Sequence, residues 1–222
     1  MRPETRSLRH LAACLLALLL AACGDSGGPG TPPSALTLVP IDSGYDFSVF
    51  VTAPPGDTHR LIVVERGGRI RMIKDGVRQD SAFLNLTALT SPATVEYGVY
   101  SIAFHPQYAT NHRVFVYYAD LNGDSQLDEF LADASLDHAD PTSRRTILSQ
   151  TQDPATVLYG GLVTFGADGK LYLGLGDGSP VTGSWDKAQD STSLLGKILR
   201  LDVDQGGTYS IPADNPYVAR AG

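Results

Sequence analysis

The chain is poor in sulfur, poor in charge, and has no excess of basic residues. Two cysteines in 222 residues exclude a disulfide-dense mini-protein and a cysteine-rich zinc site. With 17 Lys and Arg against 24 Asp and Glu, the formal net charge is -7. That balance argues against nucleic acid as a partner, because neutralising phosphates selects basic patches. Charged residues make up only 18% and hydrophobic ones 42%. A disordered chain needs the reverse, so this is a globular protein. Long amphipathic helices are missing too: no stretch of about 12 residues carries a 3.6-residue apolar stripe. What is plentiful is the turn formers, with 23 glycines and 14 prolines.

The N-terminus reads as an address. Arg2, Arg6 and Arg9 precede an apolar run from Leu11 to Ala22. The run is shorter than the about 20 residues a bilayer span needs, and it has the layout of a secretory signal. Its exit, Leu20-Ala21-Ala22-Cys23-Gly24, resembles the bacterial lipobox, whose cysteine is lipidated and becomes the first residue. An ordinary signal peptide that holds a cysteine has the same appearance. On the lipobox reading, residues 1–22 are the signal peptide and Cys23 is the lipid attachment site. Residues 23–35 are then a Gly/Ser/Pro tether and 36–222 the folded domain. Cys14 leaves with the signal, so no disulfide remains. This reading expects an exported bacterial lipoprotein, periplasmic or at the cell surface, anchored to the membrane through Cys23.

From Leu36 onward, short apolar alternations recur between tight turns. Strands are expected at Phe47 to Thr52, Leu61 to Glu65, Ile70 to Ile73, Val99 to Phe104, Arg113 to Ala119, Leu162 to Phe165, Leu171 to Leu175, Lys197 to Val203 and Tyr209 to Ile211. Gly67-Gly68, Asp75-Gly76, Asn122-Gly123 and Asp168-Gly169 supply the hairpin turns. Residues 126–139 read as a short helix or an irregular strand. The class is all-β, as a sandwich, barrel or propeller, with no clean internal repeat.

Asp120-x-Asn122-x-Asp124, with Asp128 four residues on, has the oxygen-rich spacing of a calcium loop. However, Ser125 stands where an EF-hand needs glycine, and Leu131 where it needs glutamate. A plain hairpin tip fits better. Gly174-Leu175-Gly176-Asp177-Gly178 ends a strand but lacks the spacing of a dinucleotide loop. Asp177 there is either a site residue or a turn cap. The histidines after the signal, His59, His105, His112 and His138, show no metal-ligand spacing, and no G-x-S-x-G elbow marks a nucleophile. Asn85-Leu86-Thr87 is a sequon that a bacterial lipoprotein would not normally use. Trp185 either stacks on a ligand or covers a core edge.

Several segments carry a resemblance. They are Glu96-Tyr97-Gly98-Val99-Tyr100-Ser101-Ile102-Ala103-Phe104-His105-Pro106, the run NHRVFVYYADLNGD from Asn111, and Gly160-Gly161-Leu162-Val163-Thr164-Phe165-Gly166-Ala167-Asp168-Gly169. LYLGLGDG from Leu171, LLGKILRLDVD from Leu194 and Ile211-Pro212-Ala213-Asp214-Asn215-Pro216-Tyr217 complete the set. In this order they resemble the N-terminal half of the glucose/sorbosone dehydrogenase family, the soluble quinoprotein aldose dehydrogenases. The resemblance implies a six-bladed β-propeller, of which residues 36–222 supply about the first three blades. It also implies pyrroloquinoline quinone (PQQ) with calcium, and oxidation of aldoses at C1 to lactones by hydride transfer to the quinone. Half a ring leaves two apolar blade faces exposed.

The chain departs from the family in two ways. The catalytic histidine of the family belongs to an Asn-His-x-Gly-Gly segment, and Val157 and Leu158 stand where Asn and His should be. Leucine accepts no proton, and a general base is worth about 10²–10⁴ in rate. The family pattern also runs on past Gly222, into segments that supply the substrate-side arginine and asparagine, the calcium ligands and most quinone contacts. Two positions carry over in reduced form. Asp177 matches an acidic residue beside the catalytic histidine, and Glu96 a polar position near the quinone. Two functions therefore compete. One is a sugar dehydrogenase. The other is a catalytically inactive, lipid-anchored propeller that binds a carbohydrate or a protein partner.

Overall fold

The computed structural model describes residues 37–90, 96–153, 157–179 and 187–218. The signal segment, Cys23, the tether and Trp185 lie outside the described residues. The chain divides into a unit up to Pro40 and a second from Ile41, and every strand below belongs to the second.

Three antiparallel sheets follow one another along the sequence. The first holds β1 (Ser48–Thr52), β2 (Arg60–Glu65), β3 (Arg69–Lys74) and β4 (Val77–Arg78), with β5 (Leu84–Asn85) also paired to β3. The second holds β6 (Val99–Phe104), β7 (Arg113–Ala119), β8 (Ser125–Ala132) and β9 (Ala139–Gln150). The third holds β10 (Gly160–Phe165), β11 (Leu171–Leu175) and β12 (Ile198–Leu201). A one-turn helix, α1 (Tyr108–Asn111), joins β6 to β7. The expected turns are present. Asp75 and Gly76, for example, have φ of 51° and 80°, as a two-residue hairpin between Lys74 and Val77 requires.

Of the two readings of residues 126–139 the strand holds: β8 runs to Ala132 and a turn leads into β9, a strand not expected from the sequence. Strand β9 is long, but its sequence, ADPTSRRTILSQ, is mostly polar. It is an edge strand with one side in water, where Pro141 is tolerated and alternation fades. Tyr209 to Ile211 do not form a strand. Only Ser210 pairs, as an isolated bridge to Asp202, and Pro212 soon ends the possibility of a ladder.

Alternation gives each sheet two faces. Ile62, Val64, Ile70 and Met72 of the first sheet pack on Ile102, Val114, Val116 and Phe130 of the second. The other face of the second sheet, with Phe115, Tyr117 and Leu127, packs on Val163, Leu171 and Leu173 of the third. Each such side chain contributes about 1.5–3 kcal/mol by leaving water. The outer faces stay open. On the third sheet Leu162 and Ile198, 51% and 79% exposed, flank Gly174, and on the first Val49 and Val51 are 40% and 56% exposed.

The first strands of the three sheets lie side by side, β6 against both β1 and β10. Their starts share one end: the Val99 N–H donates to the Arg66 carbonyl at 2.9 Å, and the Tyr97 and Tyr159 rings are 5.8 Å apart. Their far ends, at Thr52, Phe104 and Phe165, line a cavity of about 360 Å³. The molecule thus has an entry end and an exit end. At the exit end, ion pairs join the sheets. Arg60 reaches Asp57 at 2.7 Å and Asp137 of the β8–β9 turn at 2.9 Å. Arg113 reaches Glu129 at 2.8 Å and Asp204, beyond β12, at 2.5 Å.

Candidate functional site

The entry end brings Glu96, Leu158 and Asp177 to corresponding corners. Each first strand is entered through a residue of positive φ: Phe47 at 54°, Gly98 at 136° and Gly160 at 86°. Glu96-Tyr97-Gly98 and Leu158-Tyr159-Gly160 are therefore the same corner, repeated in consecutive sheets. The repeat escapes sequence inspection because only Tyr-Gly is common to both.

Glycine is obligatory at the second of these corners. A Cβ on Gly160 would stand 2.4 Å from the Gly174 carbonyl oxygen, and one on Gly176 would stand 2.0 Å from that of Leu158. Gly176 N–H donates to the Tyr159 carbonyl at 3.0 Å, and Gly178 N–H to that of Leu158 at 3.1 Å. The Leu158 main chain is clamped, while the residue stays 36% exposed.

Asp177 is half-buried, and its Oδ1 accepts the Ser179 N–H at 3.0 Å. Asp120 makes the same bond to the Asn122 N–H, at 2.8 Å, at the matching corner of the second sheet. Glu96 is half-buried as well. Its carbonyl accepts the Tyr100 hydroxyl at 2.5 Å, and its carboxylate has no hydrogen bond or ion pair to a described residue. Beneath both corners lie Tyr97, Tyr100, Tyr117 and Tyr159, with ring centroids 5.3–5.9 Å apart. The Tyr117 hydroxyl donates to the Tyr159 carbonyl at 2.6 Å, and burial pushes its phenol up to about 12. The Tyr159 hydroxyl donates to the Gly123 carbonyl at 2.8 Å, which ties the Asn122-Gly123 tip down.

The calcium-like loop is that tip. Asp120 Oδ1 is taken by the N–H groups of Asn122 and Asp124, and Oδ2 by Gln126 at 3.1 Å. Asp124 Oδ1 accepts the Gln152 N–H at 2.9 Å. Among the described residues, no group of three or more His, Cys, Asp or Glu gathers to hold a metal.

The sequence pattern described as Glucose / Sorbosone dehydrogenase matches residues 50–222. The chain belongs to the glucose/sorbosone dehydrogenase family. An uncharacterized protein of Synechocystis, slr1608, is 33% identical over 74% of the chain and 41% of its own length. The PQQ-bound aldose sugar dehydrogenase of Streptomyces coelicolor superposes with a TM-score of 0.61 at 25% identity, over 77% of this chain and 50% of that one. The mouse Hedgehog-interacting protein is 27% identical over 83% of the chain and 29% of its own length. The chain spans half or less of each of these proteins, and its fold is all-β of the propeller type.

The family association brings PQQ, and the resemblance adds calcium. An anionic quinone needs cationic partners and calcium a gathering of oxygens. But Arg69 and Arg71 alternate with buried Ile70 and Met72 and so face away from the second sheet, and Lys197 Nζ is taken by the Lys187 and Leu195 carbonyls. No group of three or more His, Cys, Asp or Glu gathers among the described residues. Arg66 is close by, but its guanidinium is stacked 4.2 Å over the Phe47 ring. The described residues do not fit the quinone and its calcium, so no step through either is derived from them.

None of the four described histidines lies near Leu158, because all four are at the exit end. His59 precedes β2 and meets Asp75 at 2.6 Å. His112 precedes β7 with Nδ1 3.2 Å from the Ala132 carbonyl, and His138 precedes β9, 2.7 Å from Ser81 Oγ. His105 follows β6 and is 3% exposed. Its Nδ1 receives the Gln107 N–H at 3.0 Å and Asn111 Nδ2 at 2.7 Å, which leaves the proton on Nε2, facing Asp204 at 3.2 Å. His105 is a structural clasp.

Burial holds the His105 pKa below its ordinary value; Asp204 opposes that shift and Arg113 reinforces it. The unfolded chain then takes up this proton before the folded one does. Stability from His105 is present above about pH 6.5 and declines as the pH falls below it. Thermal unfolding between pH 7 and pH 5 checks this, with a flatter pH slope expected for His105→Gln. An unchanged slope would contradict the assignment.

Proposed function

We propose that this chain contributes a sugar-binding end to a sugar-dehydrogenase-type propeller, and that its own residues bind an aldose without taking a proton from it. One observation carries the reading: the Leu158 main chain is clamped at the entry end while every described histidine is at the other end, and in the sequence resemblance Leu158 takes the place of the family's base. Family membership and the PQQ-bound sugar dehydrogenase neighbour support the ligand class. Oxidation at C1 to a lactone by hydride transfer to PQQ is the family reaction, and its proton has no histidine acceptor among the described residues of this end. Glu96 faces the ligand in this reading. Asp177 serves as a turn cap, the role Asp120 fills one sheet earlier.

Dye-linked oxidation of D-glucose by this chain, with PQQ and calcium supplied, is expected to stay at background. Leu158→His alone should not restore it, although a base is worth about 10²–10⁴ in rate, because the described residues do not fit the cofactor. Turnover that vanishes when PQQ is left out would contradict the reading.

A second reading, a propeller that binds a protein, is supported by the likeness to the Hedgehog-interacting protein and by the open apolar rows. Failure of every aldose to raise the thermal midpoint would favour it, since a ligand of the folded state must stabilise that state. In either case we propose export and lipid anchoring at Cys23, on the motif Leu20-Ala21-Ala22-Cys23. Labelled palmitate should enter the natural protein in a bacterial host and be lost in Cys23→Ser. Equal labelling of the two would refute the anchor.

A further inference from the structure

Phe47 breaks the pattern of the entry end. The second and third sheets are entered through glycines, which adopt positive φ at no steric cost. The first is entered through Phe47 at φ 54°. A bulky residue there is a genuine outlier, and such outliers persist where the surroundings hold them, often at ligand sites. Phe47 is held on two sides. Its carbonyl accepts the Arg66 N–H at 3.1 Å, and the Arg66 guanidinium lies 4.2 Å from the ring centroid. Packing does not explain the ring, because the residue is 61% exposed. The Arg66 contacts hold the ring in place, but they leave most of it displayed to solvent.

Its surroundings complete the picture. The Arg66 carbonyl accepts the Val99 N–H, and a Cβ on Gly98 would come within 2.5 Å of Arg66 Cγ. The Glu96 corner therefore lies directly against Arg66, and the Glu96 carboxylate, two residues before Gly98, has no hydrogen bond or ion pair to a described residue. Arg66 thus links an exposed aromatic ring on one side to the Glu96 corner on the other.

We propose that Phe47 and Glu96 form a sugar-stacking platform, with Arg66 as the positioning residue that fixes the ring. This rests on the sugar-binding reading above and adds the residues that do the binding. The ligand class is a neutral pyranose. One face of a pyranose is a plane of polarised C–H groups, which suits the electron-rich face of an aromatic ring. Its rim of hydroxyls donates to a carboxylate, which accepts at both oxygens. Arg66 covers one face of Phe47 and leaves the rest of the ring to the ligand.

The decisive variant is Phe47→Gly in the full chain, with D-glucose and maltose as probes in isothermal titration. Glycine suits the backbone at this position, so the thermal midpoint should match or exceed that of the natural protein. Affinity should fall about tenfold or more. Phe47→Tyr, which keeps the ring, should bind as the natural protein does, and Glu96→Gln should weaken binding. A Phe47→Gly protein that binds both probes normally overturns the proposal, and so does one that fails to fold, since the ring would then be structural. If the natural protein binds neither probe at up to about 0.1 M, the sugar-binding reading itself falls, and the platform with it.

Discussion

A β-sheet with two apolar faces must be covered on both sides, and the second sheet, β6 to β9, is the one this chain covers twice. The rest of the described structure follows from that constraint. Covering it from both sides sets the first strands of all three sheets side by side, which brings their entry corners together. Corners this close leave no room for side chains, so glycine stands at Gly98, Gly160 and Gly176. The same crowding fixes the main chain around Leu158 and Glu96. Burial between sheets thus does more than stabilise: it determines which residues reach the candidate site.

The two ends of the stack are held by different chemistry. At the exit end Arg60, Asp137, Arg113, Glu129 and Asp204 link neighbouring sheets through half-buried ion pairs, and His105 is fixed in one tautomer among them. At the entry end backbone hydrogen bonds and tyrosine hydroxyls make the links. Charged side chains there are not all consumed in structure, and the Glu96 carboxylate has no hydrogen bond or ion pair to a described residue. The division matters for the proposed function, because every described histidine serves the exit end, a strand's length from the proposed site.

Much of the fold was legible because alternation survives wherever both strand faces are covered. RVFVYYA and LYLGL give their strand boundaries directly, at Arg113–Ala119 and Leu171–Leu175. Strand β9 was not legible, since its exposed side is polar and its pattern breaks at Pro141. Of the site, Glu96 and Leu158 came only through the family resemblance, whereas Asp177 also stood out at the end of the Gly-Leu-Gly-Asp-Gly strand. Their equivalence across sheets depends on backbone geometry, and a Tyr-Gly pair alone is too little signal. Phe47 was hidden for a related reason: FSVFVT reads as an ordinary strand, and nothing in those letters announces a positive φ.

The account places ligand binding at the entry end and structure at the exit end. Protein-observed NMR during a D-glucose titration tests that directly. The account predicts shifts in the amide signals of Gly98, Gly160 and Gly178, with the ring signals of His105 and His112 unmoved. Shifts confined to the histidine rings, with the glycine amides silent, would contradict it.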